Sequence, residues 1–283
     1  MMGSIGFLGT GAISQAVVMG LCKDARHAAL PITVSPRNAE RAAALTERFP
    51  QVTVASDNQA LVDACDTVCI ALHPDGANAL IADLRFREDQ RIVSFISTLS
   101  LADLRPLVAP AATICRMVPL PPVAEHLGPV VLCPPQEQVA ALFDGMGTLV
   151  QVEREDQLTA LLTTTAMMAP FFGFSGHISD WLERQRVEPG QARCYVGAML
   201  HALAVTGKNE AERGFDKLIA EHSTSQGINE QALRELERSV WGGAIAGVLD
   251  LIQDRLNGRA TFDDGFQRTS GKNSDSDDRD VAL

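Results

Sequence analysis

The sequence has no basic run: its 24 Lys and Arg are scattered and outnumbered by 35 Asp and Glu, for a formal net charge of -11. A nucleic-acid partner needs clustered cations to neutralise phosphates, so this pattern argues against one, and the acidity reads as solubility. The six cysteines, Cys22, Cys65, Cys69, Cys115, Cys133 and Cys194, form no CxxC pair, and most lie in apolar stretches. Buried thiols are expected rather than disulfides. The six histidines show no HExxH and no Cys partner at ligand spacing, so no metal is expected. Thr163, Thr164, Thr165 and Pro170 interrupt the most apolar window, residues 158–174, which argues against a membrane span. No positively charged segment precedes an apolar one at the N-terminus, so no secretory signal is read and a cytoplasmic location is expected.

What is present is a chain of 283 residues, 46% hydrophobic and 21% charged, enough for two packed domains. Up to about residue 150, short β-rich runs at 4–8, 32–34, 52–54, 67–72, 91–96 and 113–118 alternate with helical stretches such as 12–22 and 39–49, the latter preceded by the good N-cap Asn38. Further short strands are expected at 130–132 and 149–152. Such alternation specifies βαβ units on a parallel sheet. Beyond residue 153 the strand-like runs give way to helical segments at 156–186, 189–208, 210–222 and 230–257. The expected fold is therefore α/β: a Rossmann doubly wound parallel sheet over residues 1–153, then an all-helical domain over 154–257. The segment 258–283, poor in apolar residues and rich in Asp, Ser and Gly, is expected to be a disordered tail.

The stretch Gly6-Phe7-Leu8-Gly9-Thr10-Gly11-Ala12-Ile13-Ser14 sets a Gly-x-Gly between an apolar strand and a helix. That order suits a dinucleotide: Gly9 permits a tight turn, Gly11 lets the backbone approach a pyrophosphate, and the helix start offers free N–H groups at the positive end of its dipole. About two dozen residues on, the second strand ends in Val34-Ser35-Pro36-Arg37-Asn38, without the carboxylate that would bind the ribose hydroxyls of NAD. Ser35 and Arg37 are suited to a 2′-phosphate, so NADP is the expected cofactor. Ala71, Leu72, His73 and Pro74 follow the fourth strand at the carboxyl edge of the sheet, where a ribose or nicotinamide contact is expected.

Together, residues 5–13, the Ala71–Pro74 turn, Arg116-Met117-Val118-Pro119-Leu120-Pro121-Pro122 and Ser223-Thr224-Ser225-Gln226-Gly227 resemble the pyrroline-5-carboxylate reductase family over about residues 4–257. The resemblance implies NADPH-dependent reduction of a cyclic imine acid to proline, a cytoplasmic enzyme of proline biosynthesis, and a helical C-terminal domain that forms an interlocked homodimer. The stretch Trp241–Gly247, with small residues at helical spacing, is read as part of that dimer surface. Departures fall where substrate chemistry lives. Leu120 and Pro121 replace the family's Asn and Thr, and Met167-Met168-Ala169-Pro170 stands in place of Gly-Ser-Gly-Pro. Its Ser-Pro-Gly-Gly-Thr-Thr loop, which holds the substrate carboxylate and imine, reads here Ser225-Gln226-Gly227-Ile228-Asn229-Glu230. By this correspondence Thr224, Ser225 and Asn229 are the candidate catalytic residues, and Asn229 is also read as the N-cap of the helix beginning at Glu230.

Hydride transfer needs little acid-base machinery from the protein, since the nicotinamide carries the reaction. A rival, the β-hydroxyacid dehydrogenases, requires a lysine base on the first long helix, and none of the four lysines lies within residues 155–190. A reductase of another imine or an opine-type substrate, and a non-catalytic NADP-binding sensor, stay open as alternatives.

Overall fold

The computed structural model describes residues 3–239 and 241–265, which divide between Leu162 and Thr163 into two compact units. In the first unit, strands β1 (Ile5–Leu8), β2 (Ile32–Val34), β3 (Val52–Val54), β4 (Thr67–Ile70), β5 (Arg91–Ser94), β6 (Thr113–Pro119), β7 (Pro129–Cys133) and β8 (Thr148–Gln151) form one sheet in the order β3-β2-β1-β4-β5-β6-β7-β8. The first six strands are parallel, β7 runs antiparallel to β6, and β8 is parallel to β7. The order 3-2-1-4-5-6 is that of a dinucleotide-binding Rossmann sheet, with its switch point at the carboxyl ends of β1 and β4. The doubly wound expectation is met, and β7 with β8, which run antiparallel to the first six strands, are the departure from a wholly parallel sheet.

Helices α1 (Ala12–Lys23), α2 (Ala39–Arg48), α3 (Asn58–Ala64), α4 (Ala77–Ala82), α5 (Leu101–Leu107) and α6 (Glu137–Phe143) connect the strands. The strands are apolar at most positions because both faces are covered. Successive side chains go to opposite cores: Phe7, Cys69, Val93 and Cys115 pack on the side of α1 and α2, while Leu8, Val68, Ile70, Ile92 and Ile114 pack on the side of α3 and α5. Asn38 caps α2, its Oδ1 accepting the Arg41 N–H at 3.2 Å. Helix α7 (Glu155–Thr163) stays with this unit because Leu158 is fully buried beside Val131 and Cys133. Burial pushes the Cys22 thiol up to about 11 and the Cys115 thiol to about 12, so neither is a thiolate near neutral pH. Cys194 is exposed.

The second unit is helical throughout: α8 (Met168–Arg184), α9 (Pro189–Asn209), α10 (Phe215–His222), α11 (Ile228–Arg238) and α12 (Trp241–Leu256). Pro170 falls in the first turn of α8, where its missing N–H costs nothing, so it does not break the helix as the sequence suggested. The segment Glu155–Arg184, which carries a 3-10 turn at Thr164–Met167, is by length and composition apolar enough to cross a membrane, with 11% of its most apolar window buried. That corrects the expectation that no such stretch exists. After α12 the chain continues through turns, with the Arg259 guanidinium bound to Asp254 at 2.7 Å and Phe262 under the Arg255 guanidinium at 5.2 Å. Of the expected tail, residues 266–283 lie outside the described residues.

His27 follows α1 and is 1% exposed, with neither ring nitrogen at hydrogen-bond geometry to a partner. Desolvation lowers its pKa below 6.5, opposed only in part by Asp24 and the Leu142 backbone. The fold thus requires a neutral imidazole, while the unfolded chain takes up a proton below about pH 6.5. Stability is complete above that pH and is lost as the pH falls. Thermal melts of wild type are expected to drop between about pH 7 and about pH 5, and His27→Leu to flatten that slope; an identical slope in the variant would assign the acid sensitivity to other groups.

Candidate cofactor cradle and substrate loop

The first turn after β1 is built around two glycines in different roles. Gly9 has φ +102°, a left-handed conformation, and a Cβ there would lie 2.5 Å from the Ala71 carbonyl oxygen, so the loop packs directly on the residue following β4. Gly11, the N-cap of α1, has φ -85° and ψ -174°, and a Cβ there would meet nothing within 4 Å. Space therefore lies open in front of Gly11. Helix α1 has no side-chain cap and no acidic residue in its first turn, which leaves its first N–H groups and the positive end of its dipole available to an anion.

Around this opening the polar side chains lock the loop. The Ser35 hydroxyl accepts the Gly9 N–H at 3.0 Å, and Thr10 Oγ1 donates to the Ser35 carbonyl at 2.8 Å while lying 3.2 Å from its hydroxyl. Ser14, the third small position, donates its hydroxyl to the Gly9 carbonyl at 2.5 Å. Both Ser14 and Ser35 are buried, at 0% and 1% exposure. The role given to Ser35 from the sequence is corrected accordingly: its side chain is committed to the glycine loop and does not face a ligand. Gly6 is corrected too, since a Cβ on it would lie 2.6 Å from Leu61 and 2.8 Å from Cys65, so this glycine lets α3 approach β1.

Among the remaining candidates, Ala12 is exposed, and the half-buried Ile13 turns its side chain into the core, leaving its backbone for a ligand. Arg37 is exposed at the start of the turn into α2, and no ion pair to it is formed among the described residues. Ala71 and Leu72 are half-buried against the glycine loop. His73 and Pro74 are exposed, with His73 Nδ1 accepting the Asp75 N–H at 3.3 Å. The fold therefore brings Gly9, Thr10, Gly11, Ala71 and Leu72 together at the carboxyl edge of β1 and β4, with Arg37 at the end of β2.

One cluster in this unit was not foreseen. Arg116, 5% exposed, donates to Glu155 Oε1 at 2.7 Å and to the Ser97 carbonyl at 2.6 Å, and the same Glu155 oxygen accepts the Leu101 N–H at 3.0 Å. It ties the loop after β5 to β6 and the start of α7. Nothing in local spacing reveals a contact between positions 39 apart.

In the second unit, the candidate substrate residues sit on the turn between α10 and α11. Thr224, Ser225 and Asn229 are exposed. Helix α11 begins at Ile228 with Gly227 as N-cap, which corrects the reading of Asn229 as a cap: Asn229 lies in the first turn, and its Nδ2 donates back to the His222 carbonyl at 2.9 Å. The turn closes through the Gly227 N–H to the Thr224 carbonyl at 2.7 Å, with Gln226 at φ +61°. Glu230 reaches back so that its carboxylate accepts the Gln226 N–H at 2.6 Å. His222 Nδ1 donates to the Leu218 carbonyl at 2.8 Å, and Glu221 is paired with Arg213.

Comparison with known proteins accords with this architecture. The family described as NADP oxidoreductase, coenzyme F420-dependent, matches residues 4–100. Pyrroline-5-carboxylate reductase 1 of Bacillus spizizenii is 24% identical over 257 residues, covering 86% of this chain and 84% of its own. Among solved structures, the pyrroline-5-carboxylate reductase of Coxiella burnetii superposes with a TM-score of 0.80 at 18% identity, covering 92% of this chain and all of that one. The Plasmodium falciparum pyrroline carboxylate reductase, solved with NADP bound, gives 0.73 at 15% identity over 91% and 98% of the two chains. The fold and the cradle define an NAD(P)-dependent oxidoreductase. Within that class the chain is similar over most of its length to pyrroline-5-carboxylate reductases, as its motifs suggested.

The two glycines should separate stability from ligand binding. Gly9→Ala is expected to destabilise the protein by about 1–3 kcal/mol through backbone strain and the collision with Ala71. Gly11→Ala is expected to melt within a few degrees of wild type yet to lose NADPH affinity by about tenfold or more, because its methyl fills the space a pyrophosphate needs. Melting curves and NADPH fluorescence titrations check both; unimpaired NADPH binding by Gly11→Ala would remove this loop as the cofactor cradle.

Proposed function

We propose that this protein is an NADPH-dependent reductase of cyclic imines. The observation that carries the proposal is the uncapped start of α1 behind the open space at Gly11, in a chain alignable over 86% of its length with a pyrroline-5-carboxylate reductase. The cradle suits the cofactor: the backbone N–H groups at the start of α1 hold the pyrophosphate, and residues 71–74 flank the ribose on the nicotinamide side. Arg37, with no carboxylate beside it at the end of β2, takes the 2′-phosphate. Thr10, Ser14 and Ser35 keep the loop in the shape this requires. Bound there, the reduced nicotinamide would supply a hydride to the imine carbon.

The protein's own part is to bind and orient. Thr224 and Ser225 bring free hydroxyls to the substrate nitrogen, and Asn229 adds an amide that keeps one N–H and its carbonyl beyond the bond to His222. The reduction of a cyclic imine acid to proline is the reaction that similarity to pyrroline-5-carboxylate reductases suggests first, with a neutral imine as the second reading.

Assembly as a homodimer through the helical unit is part of the same proposal. Among the described residues that unit leaves Phe172 71%, Phe215 70%, Tyr195 65% and Trp181 53% exposed, while its buried apolar positions are few: Ala192, Val196 and Leu218. Apolar surface on that scale marks an interface, and a second copy of the chain is the partner that covers it.

Two measurements test the function. The purified protein is expected to oxidise NADPH when given a cyclic imine and to leave it unoxidised with ketone analogues; tight NADPH binding with no turnover on any cyclic imine would favour a sensor instead. Arg37→Ala is expected to raise the Michaelis constant for NADPH by about tenfold or more while leaving that for NADH nearly unchanged, because the guanidinium's partner is the 2′-phosphate alone. Equal losses with both cofactors would place Arg37 elsewhere.

A further inference from the structure

The segment 223–230, Ser-Thr-Ser-Gln-Gly-Ile-Asn-Glu, carries one formally charged side chain, Glu230. That carboxylate is fixed on the loop itself through the 2.6 Å bond from the Gln226 N–H. The next amide, Gly227, is spent on the Thr224 carbonyl. Two arginines near in sequence are committed elsewhere, Arg213 to Glu210 and Glu221 and Arg234 to Glu235. Helix α11 thus meets the loop with its positive end already matched by a carboxylate of its own first turn. A carboxylate on an incoming substrate would find the Gln226 and Gly227 amides of the turn filled and a like charge held in place. A protonated imine nitrogen would find the opposite: a fixed negative charge beside two hydroxyls.

Resting on the reading of this turn as the substrate loop, we infer that Glu230 is a specificity-determining residue that selects a protonated cyclic imine bearing no carboxylate over the corresponding imine acid. The chemistry is balanced without further reagents: hydride adds at the carbon of the protonated imine, the C=N π pair becomes the nitrogen lone pair of a neutral secondary amine that keeps the iminium's N–H, and NADPH leaves as NADP+. Glu230 takes no proton in this step and acts by charge alone.

The test is the ratio of kcat/KM for 1-pyrroline to that for 1-pyrroline-5-carboxylate, measured on the full chain with saturating NADPH. Wild type is expected to favour 1-pyrroline by about tenfold or more, the discrimination a fixed like charge supplies. Glu230→Gln, whose amide oxygen can still accept the Gln226 N–H, is expected to narrow the ratio by about tenfold, chiefly through a lower KM for the carboxylate substrate. A thermal melt establishes that the variant is folded. Equal or better use of the imine acid by wild type overturns the inference, as does an unchanged ratio in a folded Glu230→Gln. Turnover of neither imine is a separate result: it removes the reductase reading itself, and this inference with it.

Discussion

The hydroxyl of Ser35 accepting the Gly9 N–H, 1% exposed and 3.0 Å long, is the contact on which the cofactor half of the molecule depends. It joins the end of β2 to the turn after β1, and the Thr10 bond to the Ser35 carbonyl doubles it. On the other side, Gly9 lies so close to the Ala71 carbonyl that no side chain fits between them. The turn is thus held from both neighbouring strands, and α1 is aimed from it with its first N–H groups uncapped. Buried hydrogen bonds of this kind are costly to break singly, because the partner is left unsatisfied. The loop is therefore preorganised, and binding an anion need not first order it.

The two units solve burial in opposite ways. In the first, mostly apolar strands make two cores, one on each face of the sheet, and the polar groups admitted inside are mostly satisfied. Arg116 is an example: both terminal nitrogens are bonded while Nε stays unpartnered. The second unit keeps its large aromatics at the surface and, among the described residues, buries few apolar side chains. Such a unit has little core of its own, and its apolar surface is the physical reason for a partner of matching character. The same surface explains how Glu155–Arg184 reaches the hydropathy of a membrane span.

The sheet was readable in the sequence because its signals are local. Strand and helix alternate, Gly9 and Gly11 flank one residue, and Asn38 sits where a cap must sit, so strand positions agree with the structure to within two residues at each end. Side-chain destinations were less readable, because they depend on contacts across the fold. Ser35 looked like a ligand for phosphate, yet its hydroxyl goes to a glycine 26 positions away. Gly6 belonged by position to the fingerprint, yet it serves the packing of α3. Asn229 matched the profile of an N-cap, but the Gly227 turn starts the helix earlier and leaves the Asn229 amide to reach back to His222. In each case a residue type fitting one role was claimed by a nearer partner that spacing alone does not display.

Glycine marks the N-cap of both α1 and α11, and the two helices differ in what answers their free N–H groups. At α1 the first turn is Ala-Ile-Ser, with no charge and open space in front of Gly11, so the dipole is left for a diffusible anion. At α11 the first turn contributes Glu230, whose carboxylate turns back onto the loop and removes that attraction from within. A helix start that carries its own carboxylate has little left for a second one and more to offer a cation. The two helix starts thus differ electrostatically, one left open to an anion and the other screened by its own carboxylate, which is the contrast on which the inference about Glu230 rests.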